Sequence, residues 1–229
     1  MIDLLKYFEL ENKDSAYISS VKRRYQQYKN FSELPDVYIN KPINIERCSQ
    51  RIKILDTNIK TIIDDQLNFV FNVKNYSITG YLSAYLLHKY FKTKLNTDEA
   101  ISNVLYVDTN LVLDDYKKIM DINTESDSPT LTYSNDTLYK NLENAPFVIW
   151  DRFSMINSAY EKQKIYNILL IRYRQGLGNM YFMKNAPIEI SRICDEEMLN
   201  ILDYENIVNL ENEQITFYDN EIDKGSIKW

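Results

Sequence analysis

The sequence has 229 residues, 45% of them hydrophobic and 26% charged, with a formal net charge of −6. That is enough chain for one sizeable core with a small helical appendage, and it excludes collagen-like, low-complexity and wholly disordered classes. It also excludes a strongly basic nucleic-acid binder as a global description, and no apolar run approaches the roughly 18 residues that a membrane span needs.

The first elements are helical. The opening MIDLLKYFELENKDS is amphipathic and acidic, without the basic start and cleavage site of a signal peptide, so a cytoplasmic protein is expected. Tyr17, Ile18, Val21, Tyr25 and Tyr28 recur at three- and four-residue spacing and predict a helix to about residue 30. Pro35 and Pro42 then break the chain, and Ile52, Leu55, Ile59 and Ile62 mark one face of a second helix starting near Asn44. Leu67 to Val73 alternates as a strand, Asn75 to Gly80 is a turn, and helix resumes from Tyr81 to about Tyr90. Val104–Val107 is a second strand, followed by a short helix from Leu111 to Met120 and a polar loop from Asp121 to Asp136. Phe147–Trp150 is apolar throughout, as a central parallel strand should be, and a long helix covers about 157–174, ended by Gly176 and Gly178. A fourth strand, Met180–Met183, a helix over about 189–202 and the apolar runs 207–210 and 215–218 complete the series. Strands alternating with helices predict a parallel sheet covered on both faces, with strands near 67–73, 104–108, 147–150, 179–183 and 215–218.

Few residues offer independent chemistry. Cys48 and Cys194 lie far apart with no CxxC partner, which argues against a disulfide framework or a zinc site. His88 is the only histidine and sits in an apolar helical run, where packing is the plainer role. A cationic cluster stands out near the N-terminus: Lys22, Arg23, Arg24 and Lys29, interleaved with Tyr25 and Tyr28. Such a cluster can hold phosphates and stack bases, can grip a partner helix, or can be a solvated face with its tyrosines turned inward.

A strand, a turn ending in Gly80, a helix and a later apolar strand ending in Asp151 form the skeleton of a P-loop NTPase, whose loop N–H groups, Lys, Ser/Thr and strand-end Asp handle phosphates and Mg²⁺. Three stretches make the likeness more specific: Tyr76–Leu87, Asn103–Val107 with 111–118, and Arg172–Gly176 with Met180–Asn185. With Leu34–Tyr38 as a Pro-containing lead-in, they resemble bacterial and phage DnaC/DnaI-type helicase loaders, of the AAA+ P-loop ATPase family, over about residues 31–219. The resemblance implies a three-layer α/β/α domain over residues 35–229 with a mostly parallel sheet of about five strands, preceded by an N-terminal helical segment, 1–34. It also places Asn185 at the family's sensor-1 Asn.

The departures from that pattern are systematic. Asn75 stands where the first loop glycine belongs, and the whole chain has only 4 Gly. Tyr81 and Leu82 stand where Lys and Ser/Thr belong, or Thr79 and Gly80 if the loop is shortened. Neither Lys74 nor Lys89 is placed to substitute, and no arginine-finger segment is visible around 201–207. Asp151 keeps the first acid of the Walker B position, and Arg152 replaces the second. The expectation is a pseudo-ATPase with no bound cofactor or metal. It would be an accessory or regulator of DNA replication that binds a DnaB-type replicative helicase and, as a second ligand, single-stranded DNA. The alternatives are a loader-mimicking inhibitor of host replication and a nucleotide-binding enzyme with an unorthodox phosphate site. The Asn-, Lys-, Ile- and Tyr-rich composition accords with an AT-rich genome such as that of a phage or mobile element.

Overall fold

A computed structural model of the chain describes residues 8–39, 43–110, 112, 132–153, 159–184, 186, 201–202, 207–211 and 215. Its elements in chain order are α1 (Ser15–Ser32), α2 (Asp36–Ile39), α3 (Gln50–Asp64), β1 (Asn68–Val73), α4 (Thr79–Asn96), β2 (Val104–Asp108), α5 (Thr132–Asn144), β3 (Phe147–Asp151), α6 (Ala159–Arg174), β4 (Gly178–Lys184) and β5 (Ile207–Asn209).

The five strands make one sheet in the order β2-β3-β4-β1-β5, and every pairing is parallel. Strand alternation divides its side chains between two cores. Phe71, Val73, Val104, Tyr106, Phe147, Ile149, Met180 and Phe182 join an inner core with α1, α3 and α4. Val70, Leu105, Val107, Val148, Trp150, Tyr181 and Met183 join an outer core with α5 and α6. The result is the expected three-layer α/β/α arrangement with a parallel sheet. No helix among the described residues is long and apolar enough to cross a membrane.

Local chemistry sets the element ends. Asp14 caps α1 by accepting the Tyr17 N–H at 2.8 Å, and Ser49 caps α3 by accepting that of Ile52 at 3.4 Å. Gly176 closes α6 in the left-handed region at φ 69°. Gly178 has a different task from the helix stop expected of it. It opens β4, and a Cβ there would lie 2.6 Å from the Phe147 ring and 2.7 Å from the Gln66 backbone.

Two further expectations need correction. The fifth strand is Ile207–Asn209, held on β1 through the Leu210 N–H to Asn72 O bond at 2.7 Å and steadied by Arg51 Nη1 on Asn209 O, also at 2.7 Å. Of the 215–218 run expected as a strand, Ile215 is not in one, and 216–218 lie outside the described residues. The polar stretch expected as a loop to Asp136 runs into helix from Thr132 onward, because Leu142 can reach the outer core, with Leu138 and Tyr139 packed beside it. The helix expected over 111–120, apart from Val112, most of the one over 189–202, and Asn185 lie outside the described residues.

α1 does not stand apart. Tyr25 and Tyr28 enter the inner core against Phe91, at ring-centroid distances of 5.4 and 5.3 Å, with Phe8 beside them. The helix runs along β2, with Phe31 packed against the outer core. The break near Pro35 is therefore a change in the path of the chain, not a gap between two cores.

Candidate functional site

In an open parallel sheet the ligand crevice lies beyond the carboxyl ends of the strands, where the strand order reverses. Here β4 sits between β1 and β3, so the loop after β1 and the end of β3 face each other across the end of β4. Asp151 closes β3 and is 1% exposed. The side chain that meets it from the loop is Thr79: its hydroxyl lies 2.6 Å from Asp151 Oδ1. Neither residue assigned to the Ser/Thr position from sequence, Leu82 or Gly80, makes this contact. Leu82 is buried in the inner core. In P-loop enzymes the Ser/Thr and the strand-end Asp are the pair that gathers around Mg²⁺, and the Lys directly precedes the Ser/Thr. With Thr79 in that role, Ile78 falls at the lysine. Lys89 is engaged elsewhere, 3.2 Å from Asp56 of α3, and Lys74 is exposed one residue beyond β1.

The rest of the loop is tied to the protein's own groups. Asn75 Oδ1 accepts the Ser77 N–H at 3.0 Å and also contacts the Ser77 hydroxyl, an Asx turn that takes up one loop donor. The Tyr76 hydroxyl accepts the Lys184 N–H at 3.0 Å and so joins the loop to the end of β4. The α4 N-terminus has Ile78 as its cap residue, without a side-chain hydrogen bond. Gly80 lies in its first turn under the ring of Tyr38, which would be 2.4 Å from a Cβ at that position. Tyr81 is half-buried and meets the same ring edge-on at 5.1 Å. Gly80 is thus demanded by an aromatic ring of this chain.

Asp151 is fully engaged. Tyr106 of β2 donates its phenol to Oδ2 at 2.7 Å, Arg152 donates its backbone N–H to Oδ1 at 2.9 Å, and Thr109 donates its hydroxyl to the Asp151 carbonyl at 2.7 Å. Burial pushes the Asp151 carboxyl up, and the hydrogen bonds from Thr79 and Tyr106 oppose this only partly. The Thr79 hydroxyl lies 2.6 Å from Asp151 Oδ1 and 3.0 Å from Tyr76 O, so its single hydrogen is shared between the two acceptors. Burial and the neighbouring Asp151 charge likewise push the Tyr106 phenol well above its ordinary range.

Arg152 adopts a left-handed backbone at φ 57° and reaches Asp108 Oδ2 at 3.4 Å. It points toward the end of β2 as a cation where the resemblance has a second acid. Tyr38, Tyr76 and Tyr106 were not singled out as site residues from sequence. They contribute through contacts spanning tens of residues, and no local pattern marks them.

The cationic cluster on α1 separates by helical phase. Lys22 and Arg23 are exposed, Arg24 is half-buried, and Lys29 pairs with Asp36 Oδ1 at 2.5 Å. Tyr25 and Tyr28 are buried and cannot stack on bases, and the Tyr25 hydroxyl is 2.8 Å from His88 Nε2. Among the described residues no group of three or more His, Cys, Asp or Glu side chains could hold a metal ion.

No family model and no curated protein matches the sequence. Solved structures do. The chain is similar to DnaI, with a TM-score of 0.53, 10% identity, and coverage of 84% of this chain and 98% of that one. It is similar to a Streptococcus pyogenes serotype M3 protein described as a candidate primosome component, with a TM-score of 0.54, 14% identity, and coverage of 83% and 98%. A DnaC helicase loader aligns with a TM-score of 0.46 and 18% identity, covering 80% of this chain and 98% of that one. The first two show a DnaI-like fold over nearly the whole of those chains.

Proposed function

We propose that this protein is a non-hydrolysing, loader-like accessory or regulator of DNA replication that binds a DnaB-type replicative helicase, with single-stranded DNA as a second ligand at the exposed cations of α1. The observation that supports the role is the fold likeness to DnaI and to the candidate primosome component, which spans 98% of each of those chains. Fold alone does not assign function, so the site must supply the rest. The absence of turnover follows from charge. A triphosphate needs its negative charge neutralised, its metal held and its water oriented. Ile78 brings no cation beside Thr79, Tyr106 occupies the second oxygen of Asp151, and Arg152 stands where the water-orienting acid belongs. Each lost electrostatic group typically costs about 10²- to 10³-fold in rate.

The test is co-purification with a replicative helicase, together with calorimetry and phosphate release with Mg²⁺-ATP, helicase and single-stranded DNA present. Helicase capture without turnover is the expected result. Turnover abolished by Asp151→Asn would establish a rebuilt nucleotide site instead, and failure to capture any replicative helicase would remove the loader-like role.

A further inference from the structure

We propose that Tyr106, Asp151 and Thr79 form a metal-free brace that fixes the junction between the β1–α4 loop and the sheet, so that the junction does not respond to nucleotide. This rests on the non-hydrolysing reading of the same site and extends it to regulation. In a working phosphate loop the Ser/Thr and the strand-end Asp share Mg²⁺, which arrives and leaves with the nucleotide, so their relation can switch. Here the Thr79 hydroxyl and Asp151 Oδ1 are 2.6 Å apart, and the second carboxyl oxygen takes the Tyr106 phenol at 2.7 Å. The phenol is carried by β2, which is paired to β3 in register at Asp108 and Asp151, so it is held in place by the sheet.

Every member is shielded from water: Thr79, Tyr106 and Asp151 are all buried, as is Thr109, which bonds the Asp151 carbonyl. Two further contacts close the same junction. Tyr76 joins the loop to β4, and the Tyr38 ring covers the first turn of α4 at Gly80. The groups that tie loop to sheet are therefore part of the chain and always present. A partner contact governed by this junction would be constitutive, without the cycle of grip and release that nucleotide exchange provides.

Amide hydrogen exchange over residues 76–82 tests the brace on the intact protein, in wild type, Thr79→Val, Tyr106→Phe and the double variant, each with Mg²⁺-ATP and with EDTA. Wild-type exchange should be the same in both solutions. Each single variant should raise exchange over 76–82 by about tenfold, the loss of one buried hydrogen bond. The double variant should be little worse than the more severe single one, because both act through Asp151. Slower wild-type exchange in Mg²⁺-ATP, single variants with unchanged exchange, or fully additive effects would each overturn the brace. If the double variant fails to fold, the single variants decide. Helicase capture with and without Mg²⁺-ATP is scored separately. No capture would defeat the proposed function while leaving the exchange result standing.

Discussion

Gly80 has no room for a methyl group. A Cβ there would fall 2.4 Å from two carbons of the Tyr38 ring. Gly80→Ala should therefore destabilise the protein by about 1–3 kcal/mol, as overpacking does. Adding Tyr38→Ala should recover part of that loss by removing the obstruction, and denaturant titration of the two single variants and the pair would show it. Additive losses would mean that Gly80 answers to something other than the ring. Asp151 yields a second expectation. Its folded-state pKa is raised, so its contribution to stability is fully present below the unfolded pKa and is lost as pH rises through the folded one. Asp151→Asn removes that titration, so the stability difference between variant and wild type should move in the variant's favour as pH rises from 4 to 8. Thr79 illustrates a contact that the sequence alone does not point to. Loop spacing is counted from glycines, and with Asn75 at the first of them the count has no fixed origin. The hydroxyl meets Asp151 across 72 residues of chain.

At the scale of elements, β1 to β4 were legible because each strand alternates or is apolar on both faces, and burial obeys the same alternation. α5 was not, because Thr132–Asn144 is rich in Asn, Thr and Ser, and its helical state depends on packing against α6 and the sheet. β5 could not be chosen between two short apolar runs, since its register comes from Asn72 and Arg51 far away in the chain. Arg172 shows how such elements are tied. It is fully buried on α6 and donates to Leu142 O and Ala145 O at 2.7 and 2.8 Å, to Gly178 O at 2.6 Å, and to Asn179 Oδ1 at 2.7 Å. One guanidinium thus joins the end of α5, α6 and the start of β4, at the cost of a pKa pushed down to about 10 by burial. Arg172→Leu would leave these acceptors without their donor and should cost about 3 kcal/mol or more, measured by chemical denaturation. The α1–α4 contact carries a pH signature. Burial, with Lys29 nearby, pushes His88 down to about 4. A neutral buried histidine stabilises fully above the unfolded pKa near 6.5, and that stability is lost progressively as pH falls toward about 4. Stability followed from pH 7 to 4 should decline in wild type and decline less in His88→Gln.

For the whole molecule, a net charge of −6 sets how any nucleic-acid contact must work. The overall field repels a polyanion, so binding depends on a local patch, and α1 offers Lys22 and Arg23 on its exposed face with Arg24 half-buried beside them. Lys29 is occupied by Asp36, and the tyrosines that seemed able to stack bases are instead the helix's anchor in the core. What remains is an electrostatic contact with few phosphates, in which neither Tyr25 nor Tyr28 serves as a stacking platform. For about three neutralised phosphates on a single strand, the logarithm of affinity should fall with the logarithm of salt at a slope near −2. The double change Lys22→Glu and Arg23→Glu should therefore abolish most binding to single-stranded DNA at low salt while shifting folding stability by no more than about 0.5 kcal/mol, because both side chains are exposed. Fluorescence anisotropy with a labelled oligonucleotide across a salt series, alongside a helicase pull-down, separates the outcomes. Loss of DNA binding alone assigns the patch to nucleic acid, and loss of helicase capture alone assigns it to the protein partner. If both ligands bind as before, α1 is a packing helix with a solvated face, and the partner surface lies elsewhere on the domain.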